Sequence, residues 1–444
     1  MEFPRVIIIG ETFRLYGGGG ITLTNLFKDW PHENIGVVTD MIGLTNPDTA
    51  YSYYQLGFSE IKFPFPFHLL QTYFKSGPCE LAKTPPVQPG NKPMPGDKWF
   101  ARLKKTIRPA FDNLLNRTGL FTYFYKIKLS DSLRNWILDF KPDIIYVQPF
   151  YHHLMRFGNL VYMELKIPYA VHIMDDSVMY VNKTIFFKNQ RQKKIETDFR
   201  ELLGKASVRM CISEEMAKEY TRRYGGTFLH FRNPIDVTQW LDNKPAEATI
   251  SDKPSRILYM GRTYPPYFES LIDVCSVVDK LRRKGRNLSI SVSPVEKNPE
   301  FISRTKDYSG LESYKHVSFG EIPELMRQYD VLLICEDFDE EAQKYLRFSI
   351  STRASEGMIS GVPVLIYSPG ESALSKYFSR TGSGLVVSER NLGALEEAVI
   401  RILEDKDLRK RVSENGIKTA MDDSDSAKVR NGFRKALILH ERND

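Results

Sequence analysis

The sequence predicts an α/β protein built from two doubly wound parallel sheets. Strand and helix signals alternate through the first half of the chain, and the alternation restarts after a polar, proline-containing stretch. The length of 444 residues favours two domains, because a single core rarely serves more than about 250–300 residues. We predict Rossmann-like domains at 1–235 and 255–444, joined by a linker at 236–254, and leave open whether the last helix returns to the first domain.

The first half contains short apolar runs that are typical of buried strands. They lie at 6–9, 35–39, 142–148, 167–174 and 207–212. Four consecutive glycines follow the first run: Gly17, Gly18, Gly19 and Gly20. Ser213 is a predicted N-cap, and Gly225-Gly226 is the predicted end of the helix that follows it. Residues 43–97 are rich in Pro, Gly, Tyr and Phe, show no clean period, and are predicted to be irregular.

The second half repeats the pattern. Its strand signals lie at 256–261, 288–292, 316–319, 331–335, 362–366 and 384–387. Helical spacing of apolar residues predicts helices at 270–284 and from Leu392 onward. Ligands of such sheets bind beyond the carboxyl ends of the strands, so the cleft between the two domains is the expected site.

Arg353 and Glu356 are the most informative pair of residues. They stand three positions apart at the predicted start of a helix, so both side chains lie on one face of it. A cation at a helix N-terminus suits a diphosphate, and a carboxylate can accept hydrogen bonds from a ribose diol. The alternative is an amphipathic helix in which Arg353 and Glu356 form an ordinary surface pair.

This segment resembles the GT-B glycosyltransferases of family 4. The matching residues are Ser351, Thr352, Arg353, Glu356 and Gly361-Val362-Pro363. The resemblance implies the GT-B architecture, a nucleoside diphosphate sugar as donor, and retention of anomeric configuration. It assigns Glu356 to the ribose, Arg353 to the diphosphate, and Ser351 and Thr352 to donor binding.

Gly261 and Arg262 match a Gly-Arg pair that closes a strand in the family, and the resemblance assigns Arg262 to the diphosphate. A surface arginine at a strand end is the alternative. The chain also departs from the family at two places. Phe348 stands where many members have a second glutamate, and the segment 264–268 stands where a lysine is expected.

The first half resembles the family more loosely. Its four glycines occupy the place of a loop that, in family 4, lies against the donor phosphates and the acceptor. His172, Asp175 and Asp176 close the strand at 167–174, where many relatives have His-Asp. We expect His172 or Asp175 to meet the acceptor or the transferred sugar, and Asp176 to lie at the substrate. Helix capping by either aspartate is the alternative.

The net charge of +7 is concentrated in one segment. Residues 97–134 carry nine basic and three acidic side chains, with aromatic and aliphatic residues at helical spacing. Such a stretch suits the surface of an anionic membrane, although a helix packed on the core with solvated lysines is an equal alternative. No recognition motif accompanies the charge, so nucleic acid is not an expected partner.

The remaining patterns bear on compartment and metal binding. The four cysteines are scattered, and no run of about 18 apolar residues is present, which predicts reduced thiols in a cytoplasmic protein. The acidic run 336–341 contains Asp-x-Asp-like spacing, but we interpret it as a solvated turn. No metal and no cofactor other than the donor sugar nucleotide are therefore predicted.

Taken together, these patterns predict a retaining glycosyltransferase that moves a sugar from a nucleoside diphosphate sugar to a glycan or lipid-linked acceptor. Cell-surface polysaccharide synthesis is the expected setting, with the protein in the cytoplasm or at the inner face of the membrane. Two alternatives remain. One is a sugar-nucleotide epimerase of the same architecture, and the other is a catalytically silent relative that binds nucleotide sugar.

Overall fold

A computed structural model describes most of the chain. The described residues are 3–14, 18–40, 45–46, 49–50, 52–62, 75–79, 107, 109–110, 113–114, 126–176, 188–242, 255–292, 298–313, 317 and 319–438. Two compact units account for them. The first unit is Met1–Phe231 with Gly432–Asp444, and the second is Arg232–Asn431.

The first unit contains a sheet of eight described strands. In sheet order these are β10 (Leu229–His230), β9 (Val208–Cys211), β8 (Tyr169–Ile173), β7 (Ile144–Val147), β1 (Val6–Ile9), β2 (Ile35–Thr39), β3 (Ser52–Gln55) and β5 (Gly77–Cys79). All neighbours are parallel except β3 and β5. A separate antiparallel pair joins β4 (Ile61–Lys62) to β6 (Lys126–Ile127). The central strands are buried throughout, as expected for a parallel sheet covered on both faces.

Helices alternate with these strands along the chain. In the first unit they are α1 (Gly18–Leu26), α2 (Asp131–Phe140), α3 (His152–Leu165), α4 (Lys188–Lys205) and α5 (Glu214–Tyr224). The predicted cap of α5 is present, because the Ser213 hydroxyl accepts a hydrogen bond from the Met216 N–H at 3.0 Å. Gly225 ends that helix with a positive φ of 71°.

The second unit has a sheet of six described strands, all parallel. In sheet order they are β13 (Leu311–Ser313), β12 (Leu288–Val292), β11 (Ser255–Tyr259), β14 (Val331–Cys335), β15 (Val364–Tyr367) and β16 (Leu385–Val387). This is the doubly wound order 3-2-1-4-5-6, in which the order reverses between β11 and β14. Of the strand predicted at 316–319, only Val317 and Phe319 are described, and neither lies in a strand, since Phe319 begins a 3₁₀ turn. The described strand beside β12 lies earlier in the chain, where register pairs Ile290 with Leu311.

The described part of this unit contains nine helices, and a tenth begins in this unit and ends in the first. They are α6 (Val237–Asp242), α7 (Phe268–Arg283), α8 (Pro299–Thr305), α9 (Ile322–Arg327), α10 (Glu340–Leu346), α11 (Thr352–Ile359), α12 (Ala373–Thr381), α13 (Leu392–Glu404), α14 (Lys406–Asp423) and α15 (Ser426–Ile438). Successive residues of β11 point to opposite faces of the sheet. Ile257 therefore packs with α7 and α13, whereas Leu258 packs with α11 and α12.

The limits of the two units differ from the domain limits drawn from sequence. Residues 232–242 lie in the second unit, because Val237 and Trp240 of α6 are buried in its core. The rest of the proposed linker, 243–254, lies outside the described residues. At the other end, α15 begins in the second unit and ends in the first, where Phe433 contacts the rings of Phe27 and Tyr146. In the described part of the chain, no helix is long and apolar enough to cross a bilayer.

Candidate functional site

The start of α11 places Arg353 and Glu356 at the carboxyl edge of the second sheet. Ser351 caps the helix, and its hydroxyl accepts a hydrogen bond from the Arg353 N–H at 3.2 Å. The preceding loop lies beside the segment after β15, because the Ala373 N–H donates to the Arg347 carbonyl at 2.7 Å. The first turn of α11 is thus held where ligands of doubly wound sheets bind.

Arg353 and Glu356 form an ion pair, as their i,i+3 spacing predicts. The Arg353 Nη1 donates to Glu356 Oε2. The glutamate side chain is only 2% exposed, while the arginine side chain keeps 26% of its surface. Their local arrangement therefore combines a buried, charge-compensated carboxylate with a cation that solvent can reach.

Gly261 and Arg262 follow β11 at the same edge. A Cβ atom at position 261 would lie 2.4 Å from the Tyr259 hydroxyl oxygen, so only glycine fits there. The same hydroxyl donates to the Arg262 carbonyl at 2.7 Å, which fixes the backbone as it leaves the strand. The Arg262 side chain is exposed. Phe348 stands at the place of the family's missing glutamate. The guanidinium carbon of Arg347 lies over the Phe348 ring, 5.5 Å from the centre of that ring.

The acidic run after β14 corrects one expectation. Glu336 and Asp337 are each 2% exposed, so the run does not begin as a solvated turn. Glu336 accepts a hydrogen bond from the Ser368 hydroxyl at 2.6 Å, and the Ser270 N–H donates to Asp337 at 2.8 Å. Burial raises the pKa of Glu336 to about 7 and that of Asp337 to about 6. Sequence reasoning noted this run but missed its burial, although Glu336 directly follows a buried strand and Asp337 comes next.

In the first unit, α1 begins with Gly18, Gly19 and Gly20, while Gly17 lies outside the described residues. Among the described residues, the charged side chains of Glu11 and Arg14 lie against this start, and the sequence reasoning singled out neither of them. The sequence signal for Glu11 is its place, since it is an acidic residue two positions after the first strand. Its contacts with the glycines are described below.

His172 lies in the middle of the first unit rather than on a surface. Its side chain is completely buried, and its Nδ1 lies 2.7 Å from the Tyr146 hydroxyl. Burial lowers the pKa of His172 to about 4, because little solvent is left to stabilise a charged ring. The imidazole is therefore neutral at physiological pH. In this place it can donate or accept hydrogen bonds, but it does not carry a charge.

Asp176 is tied to α5 by two long-range contacts. It accepts from the Tyr220 hydroxyl at 2.8 Å and from Arg223 Nη1 at 2.9 Å. Burial raises the pKa of Asp176, although Arg223 opposes this effect. These contacts hold the segment after β8 to α5. They are side-chain contacts and not a helix cap, and the place of Asp176 at the substrate stays a prediction.

Asp175 is half-buried and lines a crevice at the carboxyl ends of β7 and β8. The other residues of the crevice are Gln148, Pro149, Phe150, His172, Ile173 and Met174. The structure thus brings Asp175 and His172 to one crevice but turns Asp176 toward α5.

The basic and the irregular segments predicted from the sequence are described only in part. Most of the basic segment 97–134 and of the segment 43–97 lies outside the described residues. The described part of 43–97 contains β3, β4 and β5, so the prediction that it is irregular is wrong there, because these strands pair with partners that local patterns do not show. In the part of the chain that is described, no group of three or more His, Cys, Asp or Glu side chains is arranged to hold a metal ion.

Residues 242–419 match the family described as glycosyl transferases group 1. That range spans β11 to most of α14 and includes Gly261, Arg262, Arg353 and Glu356. No curated protein sequence matches the chain.

Solved structures resemble the chain over nearly its whole length. Sucrose-phosphate synthase from Thermosynechococcus elongatus is 13% identical with a TM-score of 0.60, covering 99% of this chain and 100% of that one. Anabaena HepE in complex with UDP-glucose is 11% identical with a TM-score of 0.58, covering 98% and 99%. WaaG, a glycosyltransferase involved in lipopolysaccharide biosynthesis, is 13% identical with a TM-score of 0.55, covering 97% and 99%.

These similarities show the GT-B fold. The predicted α/β class is confirmed, and both sheets are parallel except for the pairing of β3 with β5. The group 1 domain and the fold together identify the protein as a glycosyltransferase.

Proposed function

We propose that this glycosyltransferase takes its sugar from a nucleoside diphosphate sugar, retains the anomeric configuration, and acts on a glycan or lipid-linked acceptor of cell-surface polysaccharide synthesis. The observation that carries the proposal is the ion pair of Arg353 and Glu356 in the first turn of α11. A buried carboxylate and a partly exposed guanidinium at one helix N-terminus match the two polar parts of a nucleoside diphosphate.

In this proposal Glu356 accepts hydrogen bonds from the ribose hydroxyls, and Arg353 binds the diphosphate. Arg353 has several donors in a planar fork, so it can contact phosphate while it still pairs with Glu356. Ser351 and Thr352 lie at the same helix start, whose backbone N–H groups attract anions. Gly261 brings the backbone of Arg262 close to the edge of the sheet, and Arg262 supplies a second cation.

The proposed chemistry depends on the leaving group more than on a protein nucleophile. As the bond to the sugar breaks, negative charge develops on the diphosphate. Arg262, Arg353 and the N-terminus of α11 would stabilise that charge, which lowers the barrier without a metal ion. Activity should therefore survive EDTA. Loss of activity in EDTA, with recovery in magnesium or manganese, would show that this part of the proposal is wrong.

The proposed acceptor site rests on one crevice, one similar structure and one basic segment. His172 and Asp175 line one crevice of the first unit, and we assign them to the acceptor or the transferred sugar. WaaG acts in lipopolysaccharide biosynthesis, and by analogy we infer a surface-glycan acceptor. The basic segment 97–134 would contact an anionic membrane from the cytoplasmic side. Salt-sensitive co-sedimentation with anionic vesicles, absent with neutral vesicles, tests that contact.

The first experiment is a thermal-shift panel with UDP, GDP, ADP, TDP and their sugars. One nucleotide should raise the melting temperature of the wild type, and Arg353→Ala should abolish that rise. HepE was solved with UDP-glucose, so UDP and UDP-glucose are the first ligands to test. A shift that Arg353→Ala leaves unchanged would remove this arginine from the donor site.

Turnover separates the proposal from its two alternatives. A transferase releases nucleoside diphosphate only when an acceptor is present, whereas an epimerase converts the donor without one. A silent relative binds the donor and does neither. Two features of this chain favour a silent relative: Phe348 in place of the family's other glutamate, and the absence of the family's lysine near Tyr267.

A further inference from the structure

Glu11 and Arg14 form a buried ion pair directly after the first strand of the first unit. Arg14 Nη2 donates to Glu11 Oε2 at 2.6 Å, and the Thr12 N–H donates to Oε1 at 2.9 Å. Both carboxylate oxygens therefore have a donor. The glutamate side chain is only 3% exposed, and a carboxylate is placed there at a cost in solvation that the arginine offsets.

The start of α1 packs directly on this pair. A Cβ atom at Gly19 would lie 3.1 Å from Glu11 Oε2 and 2.8 Å from the Phe150 ring. At Gly20, a Cβ atom would lie 2.7 Å from Arg14 Nε and 2.8 Å from Arg14 Cβ. The absence of side chains at both glycines is thus what allows the helix backbone to rest against the ion pair.

A second link joins Arg14 to the same helix. The Arg14 N–H donates to the Thr24 hydroxyl at 3.1 Å, and that hydroxyl also lies 2.9 Å from the Gly20 carbonyl. The arginine therefore contacts α1 through both its side chain and its backbone. Helix α1 itself contains no charged side chain. The charges that lie next to its first turn are therefore those of Glu11 and Arg14.

We propose that Glu11 and Arg14 are positioning residues for Gly18–Gly20, and that they hold this backbone where the family resemblance places the donor phosphates and the acceptor of the transferase. This inference rests on the proposed function. The pair does not touch the substrate in our proposal. It acts through the glycines, because a shift of Arg14 or Glu11 must move the backbone that packs on them.

The ionisation of Glu11 gives the inference a pH signature. Within the described residues, the ionisable groups that face it are Arg14 on its own segment, Asp40 after β2, and Tyr146 on β7. Burial raises the pKa of Glu11, and the nearby Asp40 adds to this, while Arg14 opposes it. As pH falls, Glu11 takes up a proton at a higher pH than an ordinary carboxyl group, and the ion pair is lost. The acid side of the rate profile should reflect this loss.

The kinetic test compares Glu11→Gln with Glu215→Gln, which removes a carboxylate from a surface ion pair on α5. We expect Glu11→Gln to lower kcat/KM by about tenfold, the scale of one lost charged hydrogen bond, and to lose the acid limb of the wild-type profile. Gly20→Ala should cause a similar loss that does not add to that of Glu11→Gln. Arg14→Lys, which keeps the cation, should retain more activity than Arg14→Met.

Hydrogen exchange tests the same pair without turnover. Amides of 18–26 should exchange about tenfold faster in Glu11→Gln than in wild type, while those of 214–224 stay unchanged. Equal exchange in the two proteins, or an unchanged rate and pH profile in an active enzyme, would overturn the inference. A wild type that turns over no donor, but whose α1 loosens in Glu11→Gln, would contradict the proposed function and leave the positioning role supported.

Discussion

Arg353 and Glu356 pair across the first turn of α11, with the carboxylate buried and the guanidinium partly exposed. The two side chains of this pair are therefore buried to different extents. Removing Arg353 would leave a carboxylate with little access to water, whereas removing the charge of Glu356 would free an arginine that solvent can reach. The two substitutions should therefore differ in their effect on stability even where both impair donor binding.

The first prediction concerns this pair. Glu356→Gln should lower turnover by about tenfold or more, because one charged hydrogen bond to the donor is lost. Arg353→Met should also lower the free energy of unfolding, by about 1–3 kcal/mol, because Glu356 loses its partner. Donor kinetics and urea denaturation measure the two effects.

A matched control is Arg222→Met. Arg222 pairs with Glu219 at the same i,i+3 spacing on α5, but its side chain is 72% exposed. Because solvent screens this exposed pair, the substitution should leave the free energy of unfolding nearly unchanged and donor kinetics unaltered. Equal destabilisation by both arginine substitutions would contradict the role of burial at Arg353.

The second prediction separates binding from folding at Arg262. Its side chain is exposed, so Arg262→Ala should leave the melting temperature close to that of wild type. If Arg262 contacts the diphosphate, the KM for the donor should rise by about tenfold. Arg283→Ala on α7 removes another exposed arginine of the same unit and serves as the control. Wild-type donor kinetics in Arg262→Ala would exclude it from the site.

The third prediction follows from the raised pKa of Glu336. The unfolded chain ionises this group near its ordinary value of 4.5, and the folded protein ionises it near 7. Between these values the folded state holds more protons, so the free energy of unfolding falls as pH rises. Glu336→Gln removes this penalty and should stabilise the protein by up to about 3 kcal/mol at pH 8, relative to its effect at pH 4.5.

Chemical denaturation at several pH values measures the effect of Glu336→Gln. Glu340→Gln, at an exposed position of α10, is the control and should show no such dependence. A stability difference between wild type and Glu336→Gln that stays constant from pH 4.5 to pH 8 would show that Glu336 ionises normally in the folded protein.

The fourth prediction concerns His172, whose pKa shift has the opposite sign. Burial lowers its pKa from 6.5 to about 4, so the folded protein keeps the ring neutral while an unfolded chain would protonate it. The contribution of this group to stability is present above pH 6.5 and is lost as pH falls toward 4.

Histidine-labelled NMR measures this directly, with the His172 signal assigned by its loss in His172→Gln. We expect the signal to keep its neutral shift down to about pH 5. Titration of His172 near pH 6.5 would instead mean that solvent reaches the ring.

Local patterns predicted much of the fold. The α/β class, the central strands of both sheets and the cap at Ser213 follow from short-range periodicity and capping chemistry. The pairing of Arg353 with Glu356 is also local, because residues three apart on a helix are neighbours whatever surrounds them. The functional roles of these two residues stay predictions.

Other features were beyond local patterns. The limits of the units depend on packing: α6 joins the second unit because Trp240 finds a core there, and Phe433 joins the first because it contacts Phe27 and Tyr146. The strand at Leu311–Ser313 is set by its register with β12. Each of these depends on a partner far away in the sequence.

The sequence by itself determined the class of fold, the alternation of its central strands with helices, and the side chains that share one turn of α11. Tertiary structure alone decided which polar groups are buried and with whom they pair. It buried Glu336, joined Asp176 to Arg223 across 47 residues, and packed two glycines against Glu11 and Arg14. The physical reason is that desolvation and ion pairing depend on the three-dimensional surroundings of a side chain, which residues distant in the sequence supply.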